Sequence, residues 1–235
     1  GGAPEVKRLL TLILLMAIAA GVAFLLMRTV ARTEVTDVFT APAPVTDVSV
    51  QTGAGGIAVD AGADDRLIAR ITKGYAFFSP EVTATTTSGT VLLDTDCPTL
   101  GVLTGCSVDF DVVTPAAASV RATSTAGSVM VTGTSGAVVA ESTAGGVAVL
   151  RSRSRDIRAS STAGDVRVEA EQAPDRVEAS TTAGGVTVVV PRGDYRIDAS
   201  AGAGSVNLEG ITDTPSSGRV IVASASAGDV TVRAR

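Results

Sequence analysis

The phrase Ala-Gly-x-Val/Ile recurs through the chain, beginning at Ala54, Ala126, Ala144, Ala163, Ala183, Ala203 and Ala227. Looser copies stand at Ser88-Gly89-Thr90-Val91 and Ser135-Gly136-Ala137-Val138. A repeated unit constrains architecture more than any other signal, because each copy must bury its apolar face against the next. Six residues before the core Ala stand Val120, Val138, Ile157, Val177, Ile197 and Ile221. Four before it stand Ala122, Ala140, Ala159, Ala179, Ala199 and Ala223. After the Gly, Val129, Val147, Val166, Val186, Val206 and Val230 are followed two residues later by Val131, Val149, Val168, Val188, Leu208 and Val232. Apolar residues at every second position predict a β-strand with one buried face on each side of the Gly. The Gly marks a tight corner, where backbones approach closely or φ is positive. The alanine column predicts a narrow place in the interior.

From Gly127 to Gly228 the Gly-to-Gly steps are 9, 9, 19, 20, 20 and 24 residues. A step near 20 predicts one coil of a β-solenoid, and a step of 9 half a coil. The predicted fold class is all-β: a β-solenoid preceded by one transmembrane α-helix. Aromatic residues make up 3% of the chain and Trp is absent. A stack of Val, Ala and Ile needs neither.

Leu9 to Met27 carries no charge. At 1.5 Å per residue this stretch would span about 28 Å, close to a bilayer core. The sequence therefore divides into a short cytoplasmic tail (1–8), a membrane helix (9–27), a linker with Ala41-Pro42-Ala43-Pro44 (28–45), an irregular first part of the solenoid (46–118) and a regular part (119–235). Lys7 and Arg8 balance Arg28 and Arg32, so flanking charge does not set the orientation. Cys97 and Cys106 are the only cysteines. A local pair on an otherwise cysteine-free chain reads as one disulfide in an oxidising compartment, with two free thiols as the rival. The disulfide reading places the solenoid on the extracytoplasmic side of a bacterial cell membrane.

Chemistry is sparse. The chain has no His, which excludes Ser-His-Asp triads, Cys-His dyads and most zinc sites. No copy of the repeat continues as a phosphate loop. Asp follows the turn Gly only at Asp165 and Asp229, too seldom for a calcium roll. Asp94/Asp96 and Asp109/Asp111 read as solvent charges on strand faces. No catalytic, cofactor-binding or metal residue is assigned, no cofactor is expected, and the chain is not read as an enzyme. Arg151, Arg153, Arg155 and Arg158 form a candidate patch for an anionic partner, or a charged edge that blocks strand pairing. Net charge is −5, and the first 35 residues contribute +2 (Lys7, Arg8, Arg28 and Arg32 against Glu5 and Glu34), leaving −7 on the rest. An acidic body argues against nucleic acid.

The repeated Ala-Ser-Thr-x-Ala-Gly-Asp/Gly-Val-x-Val phrase resembles the bacterial adhesin-labelled family also called the toastrack domain, over roughly 45–235 and best from 119 onward. The resemblance implies a right-handed β-helix-like domain at the envelope, similar to parts of envelope-stress systems, with no catalytic residues to carry over. The N-terminal anchor and the disulfide depart from that pattern. The expected role is a membrane-anchored interaction, scaffold or sensor subunit with protein partners in the membrane or envelope. The alternative is self-association into a filament, coat or pilin-like assembly.

Overall fold

The computed structural model describes residues 13–19, 21–22, 33–76, 79–97 and 105–235. Residues 13–19 and 21–22 are helical and exposed. The ends of the expected 9–27 span lie outside the described residues. Among the described residues no helix is long and apolar enough to cross a membrane.

The remainder is β-structure in two facing sheets. In chain order the strands are β1 (Thr33–Ala41), β2 (Asp47–Ala54), β3 (Ile57–Gly62), β4 (Leu67–Tyr75), β5 (Glu81–Thr87), β6 (Thr90–Asp96), β7 (Ser107–Pro115), β8 (Ser119–Ala126), β9 (Val129–Thr132) and β10 (Val138–Ala144). They continue as β11 (Val147–Ser152), β12 (Asp156–Ala163), β13 (Val166–Ala170), β14 (Arg176–Ala183), β15 (Val186–Val190), β16 (Arg196–Ala203), β17 (Val206–Glu209), β18 (Val220–Ala227) and β19 (Val230–Ala234). Each coil contributes one strand to each sheet, with the Ala-Gly corner between them in every coil except β6–β7. Pairing from coil to coil is parallel and in register: Ala140 lies opposite both Ala122 and Ala159, and Val147 opposite both Val129 and Val166. The repeat columns read from the sequence are thus real stacks, and this is a two-sheeted parallel β-solenoid. Gly136 sits at the opposite corner, between β9 and β10, so the steps of 9 are half coils.

The interior is the expected one. Ala122, Ala140, Ala159 and Ala179 face Val131, Val149, Val168 and Val188, and all are at most 2% exposed. The coils do not stack in chain order, however. Strand order in the two sheets places them as β6–β7, β2–β3, β8–β9, β10–β11, β12–β13, β14–β15, β18–β19 and β16–β17. The last coil in sequence is wedged between its two predecessors. At a strand spacing of about 4.8 Å the stack is about 34 Å long.

Two boundaries need correction. The 28–45 linker contains a strand: β1 runs antiparallel to β4 through Thr33↔Tyr75 to Ala41↔Leu67. It forms because the backbone of β4 offers a free edge, although Pro42 and Pro44 flank the strand closely. The irregular part is also smaller than 46–118. β2–β3 is a regular coil, with Val48 opposite Val120 and Ile57 opposite Val129. Among the described residues of that part, irregularity is confined to β1, β4 and β5, which pair antiparallel at that end.

Candidate binding surfaces

The Ala-Gly corner is built from backbone contact. Gly184 has φ +142°, and a Cβ there would overlap the carbonyl oxygen of Gly164 one rung away. The same overlap recurs at each Gly of this column. A second column locks the corner, and the sequence reading missed it. The hydroxyls of Ser124, Ser142, Ser161 and Thr181 donate to the carbonyls of Gly55, Gly127, Gly145 and Gly164 at 2.8–2.9 Å. These side chains are buried. A polar atom held in the interior needs such a partner. The signal was present: Ser or Thr occupies an inward position of the period-two pattern, two residues before the core Ala.

The disulfide occupies this same corner. Cys97 and Cys106 are bonded, with Cα atoms 6.1 Å apart, between β6 and β7. That coil has no Ala-Gly phrase. Its Val108 carbonyl takes the place of the glycine carbonyl, accepting from Thr52 Oγ1 at 3.1 Å. A covalent loop thus stands in for the glycine turn.

Asp after the turn Gly also has a structural use. Asp165 Oδ1 accepts from the Gly185 amide at 2.8 Å. Asp229 Oδ1 accepts from the Ser205 amide at 2.8 Å and the Ser205 hydroxyl at 2.9 Å. Those two bonds hold the Asp229 carboxyl below its ordinary range. Of the acids noted above, Asp109 Oδ1 accepts from Gly56 N at 2.6 Å and Asp94 Oδ1 from Thr95 N at 2.9 Å. They lie on strands of opposite sheets. Among the described residues no group of acids and cysteines could hold a metal ion.

The arginine cluster is split. Arg151, Arg153 and Arg155 are exposed along the corner that joins β11 to β12, while Arg158 stands on the outer face of β12. Arg155 lies 3.8 Å from Asp175, and Arg158 lies 3.4 Å from Glu178 and 3.9 Å from Asp156. Arg153 reaches only the Gly133 carbonyl, at 3.4 Å. The cationic character of the patch therefore rests on Arg151 and Arg153. Elsewhere the outer faces carry paired charges two residues apart, Arg167 with Glu169 and Arg176 with Glu178. Depressions are shallow. One of about 270 Å³ on the outer face is lined by Asp47, Ser49, Thr90, Ser119 and Arg121.

Parallel coils with outward faces of alternating side chains define a solenoid protein whose surface lies along its flanks. The chain belongs to the Toastrack DUF4097 family, whose model matches residues 45–235. No curated protein matches it. Among solved structures it is similar to a candidate adhesin from Bacteroides fragilis, with a TM-score of 0.55 and 15% identity over 86% of this chain and 97% of that one. It is also similar to a candidate cell adhesion protein from Clostridium sporogenes, with a TM-score of 0.51 and 14% identity over 86% of this chain and all of the other. At such identities the likeness is one of fold.

Proposed function

We propose that the protein is a non-catalytic interaction or scaffold subunit of the bacterial envelope, held to the membrane through Leu9 to Met27, with its solenoid on the extracytoplasmic side. The observation that carries this reading is the stack itself. Eight coils present two broad outer faces on which side chains recur at fixed spacing, a geometry suited to binding an extended partner along the flank. The adhesin descriptions of its structural neighbours agree with a surface role. The disulfide agrees with an oxidising compartment. Arg151 and Arg153 are the proposed contact for an anionic partner, and the acidic body disfavours nucleic acid.

The test is to extract the full chain from its own membrane in mild detergent, measure its native mass and identify the proteins that travel with it. In parallel, an impermeant thiol reagent applied to intact cells reports the state of Cys97 and Cys106. A defined complex and an oxidised pair are the expected results. A protein recovered from the soluble cell fraction with both thiols reduced would overturn the reading. The filament or coat alternative needs two ends that fit each other, and the ends of this stack are built differently, one from β16 and β17 and the other from β1 and β5.

A further inference from the structure

The two ends of the solenoid differ. At the β6–β7 end the sheets run on through β4 and β1 on one side and β5 on the other, so Val91, Leu93 and Phe110 beneath them are at most 1% exposed, and the outermost strand β1 carries Val35 at 38%. At the other end β16 and β17 are the outermost strands of the two sheets. The core columns that are fully buried at Val230 and Val232 open there to 42% at Val206 and 44% at Leu208. The backbone is open as well. Ser205 O accepts from Val230 N, so residue 205 faces β19. Successive residues of a strand direct their amides to opposite sides, which turns those of Val206 and Leu208 outward. On β16, Arg196 N donates to Arg219 O beside β18, while Ile197 N points the other way, to Asp213 Oδ1 at 2.7 Å. By the same alternation Ala199 and Ala201 face outward.

We propose that this end is a dimer interface, and that two copies of the chain join through it. An occupant must offer two strand edges in planes about 10 Å apart with apolar side chains between them. The same end of a second copy is such an object. A two-fold axis along the sheet normal sets β16 antiparallel to its counterpart and β17 to its counterpart in one step, an isologous and closed contact. Charge permits the match: Arg192, Arg196 and Arg219 stand with Asp194, Asp198, Glu209 and Asp213 at this end, so a copy meets both signs. Thr214 N, which donates to Tyr195 O, and Asp213, which accepts from Ile197 N, occupy the start of this edge and confine pairing on β16 to the stretch from Ala199. The contact is closed by its own symmetry and the far end is built differently, from β1 and β5, so assembly stops at two.

The experiment is sedimentation velocity on the full chain in mild detergent over a wide concentration range, with hydrogen exchange on the same samples. The expected result is a species of twice the chain mass, together with exchange at the Val206 and Leu208 amides that slows at least tenfold as concentration rises. Leu208→Lys and Ala199→Pro should each give the single mass. Proline is chosen at 199 because the N–H it removes faces no strand of its own chain. Circular dichroism and a thermal melt show that each variant is folded, and exchange on the unmodified chain reads the interface independently of both. A single mass at every concentration would overturn the proposal. So would a dimer that survives both substitutions, a ladder of larger oligomers, or concentration-independent protection of Val206 and Leu208, which would mean that another part of the chain covers the end.

Discussion

At each Ala-Gly corner two contacts of unequal weight hold the rungs together. Replacing Gly184 by Ala places a Cβ on the Gly164 carbonyl at a φ that suits only glycine. Strain and overlap together should cost about 2–4 kcal/mol in chemical denaturation. Ser161→Ala removes one hydroxyl-to-carbonyl bond and leaves a small cavity, for about 1 kcal/mol. The chain makes that same replacement itself, since Ala225 and Ala201 stand opposite Thr181 and Ala225 respectively in the last two coils. The glycines were legible in the sequence because they interrupt the pattern. The hydroxyls were not recognised because Ser and Thr are ordinarily taken as surface residues, and their burial follows only once the rungs are stacked. Titration adds a second residue-scale prediction. Asp229 is held low by its bonds to Ser205, so its contribution is present above the ordinary carboxylate pKa near 4 and is lost as pH falls through the lower folded value. Asp229→Asn should flatten that part of the acid limb in urea melts taken from pH 5 downward. Tyr195 is the opposite case. Burial raises its phenol, with Arg219 opposing, so its contribution is present below about pH 10 and is lost as pH rises through the higher folded value. Tyr195→Phe should flatten the alkaline limb.

Among the elements, the regular coils were legible from their period and the irregular ones were not. β8, β10, β12, β13 and β14 keep the period-two alternation, and the structure pairs the coils column on column, with one register shift between Val149 and Ser152 of β11. β1 was read as linker because TEVTDVFTA puts Val35 and Val38 on opposite faces, and only Ala41 of its residues is fully buried. Its place is set by backbone pairing with β4 and by the Lys73–Asp37 ion pair at 2.8 Å, neither of which leaves a periodic trace. The Cys97–Cys106 loop is the one corner closed covalently in place of an Ala-Gly turn. Reducing it should cost about 2.5–3 kcal/mol in the chain-entropy model for a loop of about ten residues. Exchange should rise first in β6 and β7, while β12 and β13, several rungs away, keep their protection. Equal loss of protection throughout would show that the stack unfolds as one unit rather than rung by rung.

For the molecule as a whole, the order of coils is the feature that sequence alone conceals. Each coil carries the same columns, so β14–β15 would accept either β16–β17 or β18–β19 as a neighbour, and pattern cannot choose between them. The structure chooses the later one. A chain ended at Gly218 should therefore lose protection in β16 and β17 as well, since the coil they rest on is gone, while β8 to β13 remain slow to exchange. If β16 and β17 stayed protected in that fragment, they would have paired directly with β14 and β15.

This ordering has a consequence for biosynthesis. β16–β17 leave the ribosome before the coil that seats them exists, and must wait, or rest on the wrong neighbour, until β18–β19 have followed. Growth of the stack from one end, which serves a simple repeat protein, cannot finish this one. Completion of the far end reports that the chain has been made at least through β19. A prematurely terminated product would display β16 and β17 as unpaired strands and would leave the edge of the β14–β15 coil uncovered.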